Sequence, residues 1–299
     1  MAMWVSDRNM AIATHLAELC SLHGITDAEL LPGHLKRLAE YTHVCSVIDA
    51  LRDLHMSALS LSAGYSGTEA GVQLAKGLGR RTKFIWLSTR ELLSHIPPSH
   101  DETLSIEVSE SASKALNEIY INIRGSLDNL AWCLLAIRSP RPDERPLPVP
   151  LVELFGERFR QRIDVQEISD FLAEFDPWYS ELKERRNPAA HRLPLFVLPS
   201  IQDDETVEQY NQAMRTFIDA NQRAIDALVE GLEADELVAN AEALREKLLG
   251  VGKFHPLFTY DDRLGFMKIY PTVPEDIGKL VSIGKAFIRH LSTNLARKN

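Results

Sequence analysis

A long apolar stripe with helical spacing occupies the middle of the chain, between residues 110 and 137. Its members recur at steps of three and four, and they are Leu116, Tyr120, Ile123, Leu127, Leu130 and Leu134. This spacing places them on one face of an α-helix. Because such a face must be buried against other elements, the segment predicts a helix that packs within an α-helical bundle.

The same periodicity recurs along most of the chain. Further helices are predicted over residues 7–22, 34–61, 80–95, 165–175, 177–186, 205–232, 234–249 and 275–297. The glycine-rich residues 64–79 are interpreted as a loop or a frayed segment. Residues 140–150 contain five prolines and are interpreted as an ordered excursion or a flexible loop. Residues 193–199 form an extended apolar run.

The end of the chain changes character. Within residues 254–270, two aromatic, β-prone runs flank the turn sequence of residues 261–265 (DDRLG), which predicts a small hairpin. The predicted fold class is therefore all-α, a helical bundle with a small C-terminal β-hairpin. The predicted domains are a helical extension over 1–100, a bundle over 101–250, and a hairpin with a closing helix over 251–299, or all of these as one domain.

Composition limits the classes of function. The chain is 45% hydrophobic and 25% charged, which suits a globular core, and its net charge of −9 argues against nonspecific polyanion binding but allows a local basic pocket. Cys20, Cys45 and Cys133 form no CxxC pair, so neither a zinc site nor a disulfide framework is predicted. No apolar run of about 18 residues and no N-terminal signal is found, so we expect no membrane span and a cytoplasmic location.

Residues 185–192 (RRNPAAHR) carry the chemistry that stands out in this chain. Arginine is a fixed cation suited to phosphate oxygens, and histidine exchanges a proton near neutral pH. On one straight helix, Arg186 and His191 would point about 140° apart. Because Pro188 disfavours a helical residue before it and Asn187 is a good N-cap, a helix break is predicted there. The break would let Arg186 and His191 converge and would offer backbone N–H groups to an anion.

The segment from Arg186 to His191 (RNPAAH) resembles the R-x4–6-H motif of HEPN domains. These domains are α-helical bundles, and many are metal-independent endoribonucleases. Residues 122–132 (NIRGSLDNLAW) resemble the earlier bundle helix of bacterial HEPN-like proteins, which commonly presents a polar residue toward the motif. Asp128 or Asn129 would take that role, with Arg124 one turn from Asp128.

The resemblance covers roughly residues 104–232 and implies RNA transesterification without a metal or another cofactor. The ribose 2′-OH would attack the neighbouring phosphorus, leaving a 2′,3′-cyclic phosphate and a 5′-OH. His191 would act as general acid or base, Arg186 would stabilise charge on the non-bridging oxygens, and Asn187 would orient the histidine or the phosphate. The residues expected to bind substrate are Arg185, Arg192, Arg124, Asp128 and Asn129.

The resemblance also implies partners. HEPN proteins usually dimerise so that two motifs meet at one composite site, and some act as toxins or in antiviral defence. We therefore expect an RNA substrate, a homodimer, and a cognate antitoxin or regulatory protein. The alternative is a non-catalytic HEPN-like interaction module. In that case Arg185 and Arg186 form a solvated helix end that pairs with Glu181 and Glu184, and His191 is an ordinary turn residue.

Three other features have simpler interpretations. Asn221 occupies a core-like position of a near-heptad pattern, where it specifies register or a partner helix, or, as we favour, is hydrogen-bonded within the bundle. His55 lies on an apolar stripe, which favours a hydrogen-bonded core histidine over a metal ligand. The glycines of residues 77–81 lack the lysine of a nucleotide-binding loop, which makes such a loop improbable.

Overall fold

The computed structural model describes residues 33–98, 100–138, 145–163, 165–191, 193–201, 206–252, 254–259 and 265–298. The helix predicted over residues 7–22 lies outside the described residues, and so does much of the proline-rich segment. None of the helices in the described part of the chain is long and apolar enough to cross a membrane.

The described chain folds predominantly into α-helices, and this confirms the predicted fold class. The helices are α1 Gly33–Gly64, α2 Glu69–Val72, α3 Arg80–His95, α4 Ile106–Ile137, α5 Glu157–Ile163, α6 Gln166–Ala173, α7 Asp176–His191, α8 Val207–Val229, α9 Asp235–Leu249 and α10 Ile269–Lys298. A short 3-10 turn covers Val149–Leu151, and a π-helix covers Gln73–Gly79. Helix α10 contains one non-helical residue, Tyr270.

Helix α4 lies at the centre of the bundle. The Ser105 hydroxyl caps its start by accepting a hydrogen bond from the Val108 N–H, at 3.3 Å. The predicted apolar stripe is buried along its length, and α4 packs against α3, α7, α10, the π-helix and the sheet. Burial of this stripe on several sides supplies much of the hydrophobic stabilisation of the fold.

Residues 69–79 of the glycine-rich segment are helical, so its interpretation as a loop or frayed segment is wrong there, whereas residues 65–68 form a turn in which Gly67 has a φ of 77°. Thr68 caps α2 by accepting from the Gly71 N–H, and the π-helix continues directly into α3. A Cβ atom at Gly77 would lie 2.6 Å from the Asn129 side chain of α4. Gly77 therefore serves close helix packing rather than a turn. Residues 77–81 lie in continuous helical structure, which leaves no helix N-terminus there for a phosphate.

His55 is hydrogen-bonded inside the bundle. Its Nδ1 lies 2.8 Å from the Gly79 carbonyl oxygen and 3.4 Å from the Thr82 hydroxyl. Because a carbonyl only accepts, Nδ1 carries the proton in this contact. This confirms the interpretation of His55 as a satisfied core histidine.

The C-terminal hairpin is present and belongs to a three-stranded sheet. Strands β2 (Leu257–Thr259) and β3 (Phe266–Lys268) pair antiparallel, and β1 (Phe196–Val197) pairs antiparallel with β2, with Val197 opposite Phe258. The Ser109 hydroxyl of α4 donates to the Val197 carbonyl at 2.6 Å. This hydrogen bond attaches the sheet to α4 through β1, the strand that follows α7 in the chain.

Helices α8 and α9 form an antiparallel hairpin. Among the described residues they pack extensively only on each other, and Ala220, Ala224 and Ala227 of α8 are buried there. Asn221 is exposed to solvent. The favoured interpretation of Asn221 as a hydrogen-bonded residue within the bundle is therefore wrong.

A buried ion pair joins three helices. Asp276 of α10 accepts hydrogen bonds from Arg185 Nη1 on both carboxylate oxygens, at 3.1 and 2.9 Å. It also accepts from Trp178 Nε1 at 2.8 Å and from the Tyr120 hydroxyl at 2.9 Å. The side chains of Arg185 and Asp276 are 6% and 3% exposed. A buried pair of this kind requires every partner, because each charge has lost its water.

We expect Asp276→Ala to lower the free energy of unfolding by roughly 3–5 kcal/mol, because Arg185 would remain buried without a counter-charge. Urea unfolding followed by circular dichroism measures the loss. Asp219→Ala, at an exposed position of α8, is the matched control and should change stability by less than about 0.5 kcal/mol. The double variant Arg185→Met, Asp276→Leu should recover most of the loss. Equal stability of the two alanine variants would contradict this assignment.

Candidate functional site

Helix α7 runs without interruption from Asp176 to His191, through Asn187 and Pro188. The predicted helix break and the predicted N-cap role of Asn187 are therefore wrong. Pro188 lies in the last turn, where its missing N–H removes a single helical hydrogen bond, to the Glu184 carbonyl. On this continuous helix Arg186 and His191 leave the axis about 140° apart. The helix break on which the predicted convergence of Arg186 and His191 depended is therefore absent.

The Arg186 side chain is partly buried and lies near Asp128 of α4. Its positive charge lowers the pKa of Asp128, although burial raises that pKa overall. Arg186 Nη1 also donates to the Asn187 side-chain oxygen at 3.4 Å. Of the two residues expected to approach the motif, Asp128 is the one that does so.

Asn129 takes part in a different contact, toward α3 and the π-helix. Its Nδ2 donates to Gln73 Oε1 at 2.6 Å, and its Oδ1 accepts from Arg81 Nε at 3.0 Å. Arg81 Nη1 donates in addition to Asn122 Oδ1 at 3.2 Å. Asn129 therefore orients Arg81 and does not face Arg186 directly.

Arg124 lies one turn from Asp128, as its spacing predicts, and links three side chains. Its Nη2 is 3.3 Å from Asp128 Oδ1 and 3.1 Å from Glu153 Oε1. Its Nη1 donates to the Tyr179 hydroxyl, which in turn donates to Glu153. Tyr179 belongs to α7, so this network also fixes α7 against α4.

Asp128 is thus surrounded by arginines from three helices. Arg124, Arg186 and Arg81 each lower its pKa, whereas burial, the largest effect, and Glu153 raise it. We call Arg81, Arg124 and Arg186 the arginine cluster. Three arginines act electrostatically on Asp128, and Arg124 also pairs with Glu153, so positive charges outnumber negative ones among these five side chains in a chain whose net charge is −9. Guanidinium groups of this kind are suited to the oxygens of a phosphodiester.

Arg185 lies in the interior, away from the arginine cluster. Its guanidinium is bound by Asp276 and, through Nη2, by Glu181 Oε2 at 2.9 Å. Burial alone would lower the pKa of Arg185, but the attraction of Asp276 raises it, so the group remains charged. This is a structural role in place of the expected contact with substrate. The pairing expected between Glu181 and the motif arginines is formed by Arg185.

Two of the expected site residues cannot be placed. Arg192 and the side chain of His191 lie outside the described part of the chain. Sequence reasoning in turn missed Arg81, Glu153 and Tyr179. Arg81 follows the glycines of residues 77–79, but no spacing relates it to Asp128, 47 positions later. Arg81 and Tyr179 reach this region because α3 and α7 pack on α4, and Glu153 reaches it from the segment after the 3-10 turn.

Comparison with known proteins gives no match: no protein-family model, no curated protein and no solved structure matches this chain. Within the described ranges, no group of three or more His, Cys, Asp or Glu side chains is placed to hold a metal ion.

We expect Asp128→Asn to unfold at an equal or higher urea concentration than the wild type at pH 7. The folded-state pKa of Asp128 is raised, so ionisation costs stability as pH rises above its ordinary value of about 4. Asparagine does not ionise, so the free energy of unfolding of the variant should rise relative to that of the wild type between about pH 4 and pH 7. The measurement is urea unfolding across that range, with Asp219→Asn as the exposed control. A variant that becomes less stable relative to the wild type as pH rises would contradict a raised pKa of Asp128.

Proposed function

We propose that the chain is a metal-independent endoribonuclease of the HEPN type, which binds a phosphodiester of RNA at the arginine cluster and cleaves it by transesterification. The observation that carries the proposal is the electrostatic interaction of Arg186 with Asp128, whose carboxylate lies 3.3 Å from Arg124. This is the relation that the resemblance implies between the motif and the earlier bundle helix. Arg81 adds a further cation that the resemblance did not supply.

The arginine cluster would bind the two non-bridging oxygens of the scissile phosphate. Arg186 and Arg124 each present a planar fork of donors to such oxygens, and their charge would stabilise the negative charge that develops as the phosphorus is attacked. Asp128 and Glu153 balance these arginines when no RNA is bound. Binding would exchange part of this internal pairing for pairing with phosphate.

Cleavage forms one bond and breaks another. The 2′-oxygen bonds to phosphorus while the bond from phosphorus to the 5′-oxygen breaks. A general base takes the 2′-OH proton, and a general acid gives a proton to the leaving 5′-oxygen. His191 is assigned one of these two roles. Asn187, which accepts from Arg186, is assigned the positioning of that guanidinium against the phosphate.

A composite site reconciles this chemistry with the continuous helix α7. Arg186 and His191 of one chain leave α7 about 140° apart, so one copy does not readily bring both to the same phosphate. In a homodimer, Arg186 of one copy and His191 of the partner subunit act together. Through the resemblance, the proposal extends to cytoplasmic RNA as substrate, to a role as toxin or in antiviral defence, and to control by an antitoxin or regulatory protein.

A non-catalytic module is the second candidate function. The continuity of α7 through Asn187 and Pro188 favours it, because positions 186 and 191 of one continuous helix differ by about 140° in direction. In that case the arginine cluster binds a phosphorylated partner or RNA and no bond is broken. Retention of RNA without cleavage by the wild type would distinguish this function from the first.

The test is cleavage of an end-labelled single-stranded RNA in EDTA, with DNA of the same sequence beside it. We expect the wild type to cut the RNA alone, and Arg186→Ala and His191→Ala each to reduce the rate by at least about a hundredfold. The exposed residues Arg223 and His43 provide matched controls, Arg223→Ala and His43→Ala, which should keep the wild-type rate.

Complementation tests the composite site. A mixed dimer of the Arg186→Ala and His191→Ala chains holds one site with both native residues, so mixing two inactive variants should restore up to about a quarter of the wild-type activity. Cleavage by His191→Ala at the wild-type rate would remove His191 from the mechanism. Failure of the mixture, with each variant folded, would contradict the composite site.

A further inference from the structure

Helix α8 has two apolar faces, and its packing against α9 buries one of them. Ala220, Ala224 and Ala227 of α8 are buried against α9, while Ala241 and Leu248 of α9 are buried in return. Neither helix packs extensively on any other element of the described chain. The second apolar face of α8 therefore lies open.

This open face has the spacing of a coiled-coil seam. We define the α8 seam as Val207, Asn211, Met214, Ile218, Asn221, Ile225 and Leu228. Its positions alternate in steps of four and three over three heptads, as the two core positions of a coiled coil do. Val207, Ile218, Ile225 and Leu228 are 45%, 54%, 44% and 60% exposed. Apolar side chains so regularly placed and so exposed are typical of an interface.

We propose that the α8 seam pairs with the α8 seam of a second copy of this chain. The two asparagines identify the occupant, because a polar side chain within an apolar seam must meet a polar partner. A second copy supplies these partners in register. In a parallel pair Asn211 and Asn221 each face their own counterpart, and in an antiparallel pair Asn211 faces Asn221 while Met214 faces Ile218.

The hairpin makes α8 ready for this pairing. Because α9 already holds α8 helical, association need not supply the cost of ordering this helix. One core position of the α8 seam holds Asn211 and the β-branched Ile218 and Ile225, and a polar asparagine at such a position is a feature that specifies register and oligomer state. The pairing rests on observations separate from those behind the proposed cleavage, since no motif residue belongs to the α8 seam.

Sedimentation of the full chain without RNA tests the pairing. We expect the wild type to form a dimer at micromolar concentration. Ile218→Asp with Ile225→Asp should weaken association by at least about a hundredfold, because charges would be buried at the seam. Both positions are exposed in the single chain, so the variant should keep its helical circular dichroism. Gln209→Asp with Thr216→Asp is the matched control, with the same added charge on the same helix away from the seam, and should stay dimeric.

A second variant tests the asparagine layers without adding charge. Asn221→Leu replaces a polar layer with an apolar one and should tighten association or raise the oligomer number. A wild type that stays monomeric to submillimolar concentration would overturn the proposal. So would association that neither the seam aspartates nor Asn221→Leu alters. A dimer of that insensitive kind would contradict the pairing and still allow the composite site, whereas a dimer that depends on the α8 seam but leaves RNA intact would support the pairing and contradict the nuclease.

Discussion

The Arg185–Asp276 pair constrains the arrangement of the bundle more than any other polar contact described here. The Asp276 carboxylate, near the start of α10, accepts hydrogen bonds from side chains of α4 and α7. A buried charge of this kind is tolerated only when all its partners are present. The pair thereby sets the rotation of α7 about its own axis. The Arg185 side chain is buried against Asp276, whereas the neighbouring Arg186 acts electrostatically on Asp128. Two adjacent arginines therefore have different roles.

Asp128 links this architecture to chemistry. It is about a third exposed, and it lies where arginines from α3, α4 and α7 converge. An acidic chain is thus able to present a small positive surface, since the charge that meets a phosphate is local. The α8–α9 hairpin carries a separate surface, which contains none of these arginines. The proposed RNA contacts and the proposed α8 seam therefore use different residues, and each set can be substituted without changing the other.

The elements whose burial follows from local periodicity were predicted well, whereas those that depend on distant partners were not. Helix α3 has the predicted bounds Arg80–His95, and α4 begins four residues before its predicted start, at a serine cap. The glycines of residues 64–79 indicated a loop because their reason, contact with Asn129, lies far away in sequence. Pro188 indicated a break because proline opposes helix, yet α7 continues through it and ends three residues later, at His191. Strand β1 lies within the extended run of residues 193–199, but neither its pairing with β2 nor the arginine cluster has a local signal.

The chemical ends of the cut RNA test the proposed transesterification most directly. With EDTA present, we expect each upstream fragment to carry a 2′,3′-cyclic phosphate and each downstream fragment a 5′-OH. An RNA of the same sequence with every ribose 2′-O-methylated should stay intact, because it lacks the attacking hydroxyl. Fragments with 5′-phosphate ends, or cleavage of the methylated RNA at the rate of the unmodified one, would contradict the proposed mechanism.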